Sequence, residues 1–254
     1  MAASSKMMIM KVGLFIPCYV DQFYPQVAIA TLHLLEKLGV DVSYPSNQTC
    51  CGQPMANAGF EKLTKGCDEL FVKNFVAFDY IVCPSGSCTL HIKEHLHDEQ
   101  NEAAATGIRK KVYELTEFMV DVLQVERLEA SFPHKVGMHQ SCHGQRGLKI
   151  SQMSELVAAP FSKPGKLLQL VKGIELIELS RTDECCGFGG TFCVFEEAVS
   201  AKMGKDRVAD HINHGAEFIT AADMSCLMHM EGILKRQKSK VQVKHIAEIL
   251  NSQL

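Results

Sequence analysis

The chain has 254 residues, 46% of them hydrophobic and 22% charged, and a formal net charge of −3. That balance belongs to a globular chain long enough for two small domains. It supplies no basic face for nucleic acid or anionic lipid, and no run reaches the ~18 apolar residues of a membrane span. The chain is expected to stay in the cytoplasm, where thiols are kept reduced, so its eleven cysteines point to metal or redox use rather than to structural disulfides.

Taken in order, residues 8–16 are an apolar run that reads as a strand, and Pro17-Cys18 follow in its loop. A helix is predicted from Pro25 to Leu38, with Gly39 as its C-cap. Val40 to Tyr44 alternates as a short strand, and the loop after it delivers Cys50 and Cys51. Residues 57–77 read as a second helix carrying Cys67 on its inner, core face; Tyr80-Ile81-Val82 is a third strand, and the Pro84 to Ser87 loop leads to Cys88. Residues 98–108 read as a solvated segment, and Gln124 to His134 joins two halves, 1–126 and 127–254. The second half repeats the plan. A strand at 135–139 is followed by a Cys142 loop and by helices near 152–159 and 165–171. A strand at 174–179 and the Cys185-Cys186 loop precede a long helix at 194–214, a strand at 217–220 and a Cys226 loop.

The halves are a tandem duplication. Lys11 to Cys18 aligns with Lys135 to Cys142, Cys50-Cys51-Gly52 with Cys185-Cys186-Gly187, Ser87-Cys88 with Ser225-Cys226, and the closing run from Val112 with that from Val243. Strands alternating with helices imply small parallel sheets flanked by helices, an α/β fold in which ligands gather beyond the carboxyl ends of the strands. Each half then presents four thiols on one edge, and the halves are expected to face each other across a pseudo-twofold axis.

Neighbouring cysteines cannot easily share one ion, because in extended chain their side chains point to opposite sides, and neither half has the Cys-x-x-Cys spacing usual for structural zinc. An iron–sulfur cluster is wide enough for adjacent thiolates to reach different iron atoms, so these residues favour it over zinc or a bare redox dithiol, both of which stay open. Cys83 and Cys193 are further candidate ligands by proximity, although Cys83 is opposite Ala221 and reads equally as a buried hydrophobe. His91 and His229 each follow a set cysteine by three residues and could cap a cluster or relay a proton; the plain reading is a partly buried helix histidine. The His91-x-x-x-His95 pattern reads as a solvated helix face, Gly187 to Gly190 as bare backbone beside a cluster, and Glu117 and Glu248 as exposed or capping. No nucleotide-binding fingerprint or Walker loop is present to accept a hydride.

The two Cys-Cys-Gly blocks and their spacing resemble the Cys-Cys-Gly domain family, which includes the cluster-bearing catalytic subunit of heterodisulfide reductase and the iron–sulfur subunit of glycolate oxidase. Phe15 to Pro25, Thr49 to Gly59, Glu184 to Phe192 and Ser225 to His229 resemble more narrowly the lactate-utilisation branch of that family, over nearly the whole chain. The resemblance implies one iron–sulfur cluster per half, [4Fe-4S] in type. Its ligands would be Cys18, Cys50, Cys51 and Cys88 in the first half and Cys142, Cys185, Cys186 and Cys226 in the second. It also implies an electron-transfer role in a cytoplasmic complex that oxidises L-lactate together with other iron–sulfur and small subunits, with peripheral contact to the respiratory chain. The alternatives it carries are a cluster-based disulfide reductase and a glycolate oxidase subunit. One departure stands out: Ser85 and Asp223 occupy the positions where the heterodisulfide reductase subunit has a fifth thiol.

Overall fold

The computed structural model describes residues 10–253. The apolar run expected as a strand over 8–16 yields β1 (Lys11–Leu14); its start, Met8 and Ile9, lies outside the described residues. The first half continues through α1 (Cys18–Phe23), α2 (Pro25–Lys37), β2 (Asp41–Ser43), α3 (Gln53–Asn57), α4 (Lys65–Phe75), β3 (Tyr80–Cys83), α5 (Gly86–His95), α6 (Glu102–Arg109), β4 (Val112–Glu114) and α7 (Leu115–Glu117). The second comprises β5 (Lys135–Met138), α8 (Lys163–Leu168), β6 (Glu175–Ile177), α9 (Phe192–Phe195), α10 (Glu197–Asn213), β7 (Phe218–Thr220), α11 (Met224–Arg236), β8 (Gln242–Val243) and α12 (Ile246–Leu250).

Two four-stranded sheets result, ordered β2-β1-β3-β4 and β6-β5-β7-β8, with every pair parallel. The register repeats as well: Val12 lies opposite Val42 and Tyr80, and Val136 opposite Leu176 and Phe218. The strands are apolar because helices cover both faces of a parallel sheet; Val12, Leu14, Ile81, Val82, Val136 and Ile219 are all buried.

Several elements depart from the sequence expectation. Each closing run starts as a fourth strand, β4 or β8, before its short helix, so the sheets have four strands where three were evident. Residues 102–109 form α6 because Ala105 and Ile108 find a buried face and the Asn101 side chain accepts from the Ala104 amide at 3.3 Å. The helix expected over 57–77 is interrupted at Gly59, whose φ of 86° lies in the left-handed region, and resumes only at α4. No helix forms at 152–159, where Leu156 and Val157 are exposed and a Ser151–Ser162 bridge closes the loop. The helix expected near 165–171 is α8, capped by Ser162 accepting from the Gly165 amide at 3.0 Å. The helix expected over 194–214 is split at Glu196 into α9 and α10.

The halves meet where their third strands end. Ser85 and Asp223 form an antiparallel bridge, the Gly86 amide donates to the Ala222 carbonyl at 3.2 Å, and the Ser87 amide donates to the Asp223 carboxylate at 2.7 Å. Ser85 and Asp223 are also the N-caps of α5 and α11, accepting from the Cys88 and Ser225 amides. Gly147 packs against the Leu90 side chain across this seam, and Tyr24 Oη donates to Glu231 at 2.8 Å.

Candidate metal centre

All four thiols of the first half arrive just beyond strand ends, the edge on which a parallel sheet presents its loops. Cys18 opens α1 after β1, Cys50 and Cys51 occupy the loop after β2, and Cys88 sits in the first turn of α5 after β3. Cys18 Sγ lies 3.7 Å from Cys50 Sγ, and Cys51 Sγ lies 3.3 Å from Cys88 Sγ. The adjacent cysteines are thus turned to different partners, the arrangement a multi-iron object accommodates and a single ion does not. Gly52 permits the turn: its φ is 88°, and a Cβ there would sit 2.9 Å from Thr64.

The second half reproduces the set. Cys142 follows β5, Cys185 and Cys186 precede Gly187 at φ 85°, and Cys226 lies in the first turn of α11. Cys142 hydrogen-bonds Cys185, and Cys186 hydrogen-bonds Cys226. The Gly52, Gly187 and Phe188 amides aim at the sulfurs of Cys50, Cys185 and Cys186, each at 3.4 Å. Donation from Cys18 and Cys51, with the Gly52 amide, holds the Cys50 thiol well below the usual range against its burial; Cys185 is held down by Cys142, Cys186 and the Gly187 amide in the same way. All eight cysteines line one cleft of about 220 Å³ between the halves. Soft sulfur donors in two sets of four, with backbone amides directed at them, fit iron–sulfur clusters.

The other candidates separate clearly. Cys83 is fully buried at the end of β3, away from the cleft, and desolvation pushes its thiol up. Cys193 donates to the Gly190 carbonyl at 3.0 Å and does not line the cleft. Cys67 is half-exposed rather than a core residue and shares a small cavity with Cys50 and Phe71. His91 is buried beside Gly52 and stacked on His95 at 5.1 Å between ring centroids, and burial lowers its pKa to about 4. His95 faces the exposed carboxylates of Glu61 and Glu94, so the pair does not converge as metal ligands. His229 Nε2 lies 3.4 Å from the Ser200 carbonyl. Glu117 and Glu248 complete capping boxes on α7 and α12 and are largely buried, pairing with Lys93 and Lys244.

Beneath the second set lies a polar layer that sequence reasoning missed. His139, Arg207 and His211 are all fully buried, and both ring nitrogens of each histidine, with Nε and Nη2 of Arg207, have no partner. The corresponding place in the first half is aromatic: Phe15 packs edge-on against Phe71 and Phe75, with centroids 4.9 and 5.9 Å apart, in the cluster that holds Cys51 and Cys88. Gly13 and Gly137 mark the equivalence, the former pressed by Phe75 and the latter by His211. The repeat alignment already sets Phe15 opposite His139; the convergence with α10 is a long-range fact it does not contain.

This layer sets an acid limit on the metal-free fold. Burial lowers His211 to about 2 and His245 to about 4 from 6.5, and His245 Nδ1 must stay unprotonated to accept the Ala247 amide at 3.2 Å. Both are neutral when folded and bind protons more readily when unfolded, so their contribution is complete above pH 6.5 and shrinks as pH falls toward the lowered folded values. Each histidine costs up to about 1.4 kcal/mol per pH unit in that window. Circular dichroism of the apo chain should show acid unfolding setting in above pH 4, and a His211→Phe variant should shift it downward. A transition that does not move would remove His211 from this account.

The cysteine-rich domain family, CCG, matches residues 12–93 and 136–231, the two halves just described. Lactate utilization protein A of Geobacillus sp. (strain WCH70) is 42% identical over 248 residues, covering 96% of this chain and 100% of that protein. Lactate utilization protein A of Bacillus velezensis (strain DSM 23117 / BGSC 10A6 / LMG 26770 / FZB42) is 42% identical over 247 residues, again covering 96% and 100%. Among solved structures, a hypothetical protein from Helicobacter pylori superposes with a TM-score of 0.58 at 14% identity, covering 94% of this chain; the chain spans 48% of that protein, and the likeness is one of fold. The duplicated Cys-Cys-Gly sets, the matched halves and the full-length similarity together place the chain in the cysteine-rich CCG domain family, among the lactate utilization protein A proteins.

Proposed function

We propose that the chain is an iron–sulfur electron-transfer component of a cytoplasmic, multi-subunit system that oxidises L-lactate to pyruvate and allows growth on lactate. One cluster per half, [4Fe-4S] in type, is held by Cys18, Cys50, Cys51 and Cys88, and by Cys142, Cys185, Cys186 and Cys226. The observation that carries this reading is the pairing of adjacent thiols with different partners around one shared cleft. Two soft-donor sets opening on a common space suit electron exchange between centres, and each cluster would supply one-electron chemistry there. The relatives' name, lactate utilization protein A, supports lactate as the donor. With no hydride-accepting motif in the sequence, the two-electron step falls to partner subunits, which would be further iron–sulfur and small proteins that pass electrons on toward the respiratory chain.

Purified without air, the protein should be brown, carry iron and acid-labile sulfide, and give an electron paramagnetic resonance signal on reduction. A colourless product holding stoichiometric zinc under the same conditions would end the proposal.

The cleft supports one second reading, a cluster-based reductase acting on a small disulfide, because it is open to both thiol sets and large enough for a ligand. Turnover of small disulfides with an artificial electron donor separates the two readings.

A further inference from the structure

His139 has no partner for either ring nitrogen although only 1% of its surface is exposed. A buried imidazole left without hydrogen bonds costs about 1–3 kcal/mol for each unmet polar group, so its position needs an explanation. It is held from the backbone, whose amide donates to the Thr220 carbonyl at 2.7 Å across the β5–β7 pair. The groups around the ring are Cys186, Cys226, Cys185 and Arg207, and none of them satisfies it.

One contact set stands out. A ring nitrogen of His139 and the sulfurs of Cys186 and Cys226 all lie within 4.8 Å of one another. Ligands ~2.3 Å from a tetrahedral ion are separated by roughly 3.8 Å, so the three donors need close by only about 1 Å to share one. Among the described residues no other trio of histidine, cysteine or carboxylate side chains meets this condition. The first half offers nothing comparable, since Phe15 stands at the equivalent place.

We propose that His139 is a nitrogen donor to the metal centre of the second half, which makes that centre a mixed cysteine–histidine site and the first an all-cysteine one. The inference rests on the iron–sulfur reading above and deepens it. Cys186 and Cys226 bind as thiolates and His139 as neutral imidazole, the form that burial beside Arg207 favours. Exchanging an anionic sulfur donor for a neutral nitrogen raises the reduction potential of an iron–sulfur centre. Electrons entering at the first half would then run downhill to the second, and the duplicated chain acquires a direction.

The test uses the full chain carrying Cys51→Ala, so that the second centre is observed alone, reconstituted without air and grown with either natural-abundance or ¹⁵N-labelled histidine. Pulsed electron paramagnetic resonance should show a directly bound nitrogen coupling that changes with the label and disappears in His139→Phe. In His139→Cys the iron should be retained, the nitrogen coupling lost and the midpoint potential lowered. A loaded second centre without a label-sensitive coupling, or one whose coupling survives His139→Phe, overturns the assignment. Should His139→Phe not fold, the label comparison on the unsubstituted residue decides alone. Absence of iron in every preparation sinks the iron–sulfur reading and this inference together, whereas an iron centre without histidine nitrogen sinks only the inference.

Discussion

Replacing Asp210 by alanine is expected to destabilise the apo fold by about 3–5 kcal/mol, the cost of breaking a buried ion pair from one side. The side chain of Arg207 is 0% exposed, and its Nη1 donates to Asp210 Oδ2 at 3.2 Å and to the Arg181 carbonyl. Without Asp210 the guanidinium remains buried with no counter-charge. The loop before Cys185 loosens as well, because the Asp210 carboxylate accepts the Ser180 and Arg181 amides at 3.2 Å each. Urea unfolding followed by circular dichroism measures the change. Since a buried pair replaced as a whole by apolar groups is often neutral, Arg207→Met combined with Asp210→Ala should recover most of the loss. The first half, with its Phe71 layer, already folds on that apolar solution. A single Asp210→Ala variant that unfolds within about 1 kcal/mol of the parent would show that the pair contributes little.

The second large effect concerns metal content. Cys51→Ala should leave roughly half of the iron and sulfide bound, Cys186→Ala the complementary half, and the double variant essentially none. Cys51 and Cys186 are the most deeply buried of the eight cysteines. Each bonds both its neighbour in sequence and a thiol from another loop, so each substitution opens its own set while the other set keeps all four thiols. Iron and acid-labile sulfide per chain, measured after anaerobic reconstitution, give the answer. Because all eight thiols face one cleft, the result discriminates sharply: loss of all iron in Cys51→Ala would mean a single centre spanning both halves.

Much of this architecture is legible in the sequence. Strands that end at Cys18, at the Cys50 loop and at Cys88, repeated at Cys142, the Cys185 loop and Cys226, follow from short apolar runs punctuated by Pro and Gly, and the repeat lets each half corroborate the other. What escapes is whatever tertiary contact decides. β4 and β8 are two or three residues long and become strands only by pairing with β3 and β7. Residues 152–159 carry apolar side chains in helical spacing, but Leu156 and Val157 meet no partner surface and no helix forms. The segment with Asp98 to Glu102 looks solvated until Ile108 and Ala105 are seen buried on α6. The polar floor of the second site is the clearest case: His139 comes from the end of β5 and Arg207 and His211 from α10, some seventy residues away, and no local pattern connects them.

The Ser85–Asp223 bridge restricts what this chain can become. A cysteine at either position would add a sulfur to its set but would remove the oxygen that caps α5 or α11, and at 223 it would also release the Ser87 amide of the opposite lobe. Enlarging the metal-binding complement and keeping the two lobes clasped draw on the same two side chains, so a lineage built this way is committed to smaller sulfur sets for as long as it keeps its seam.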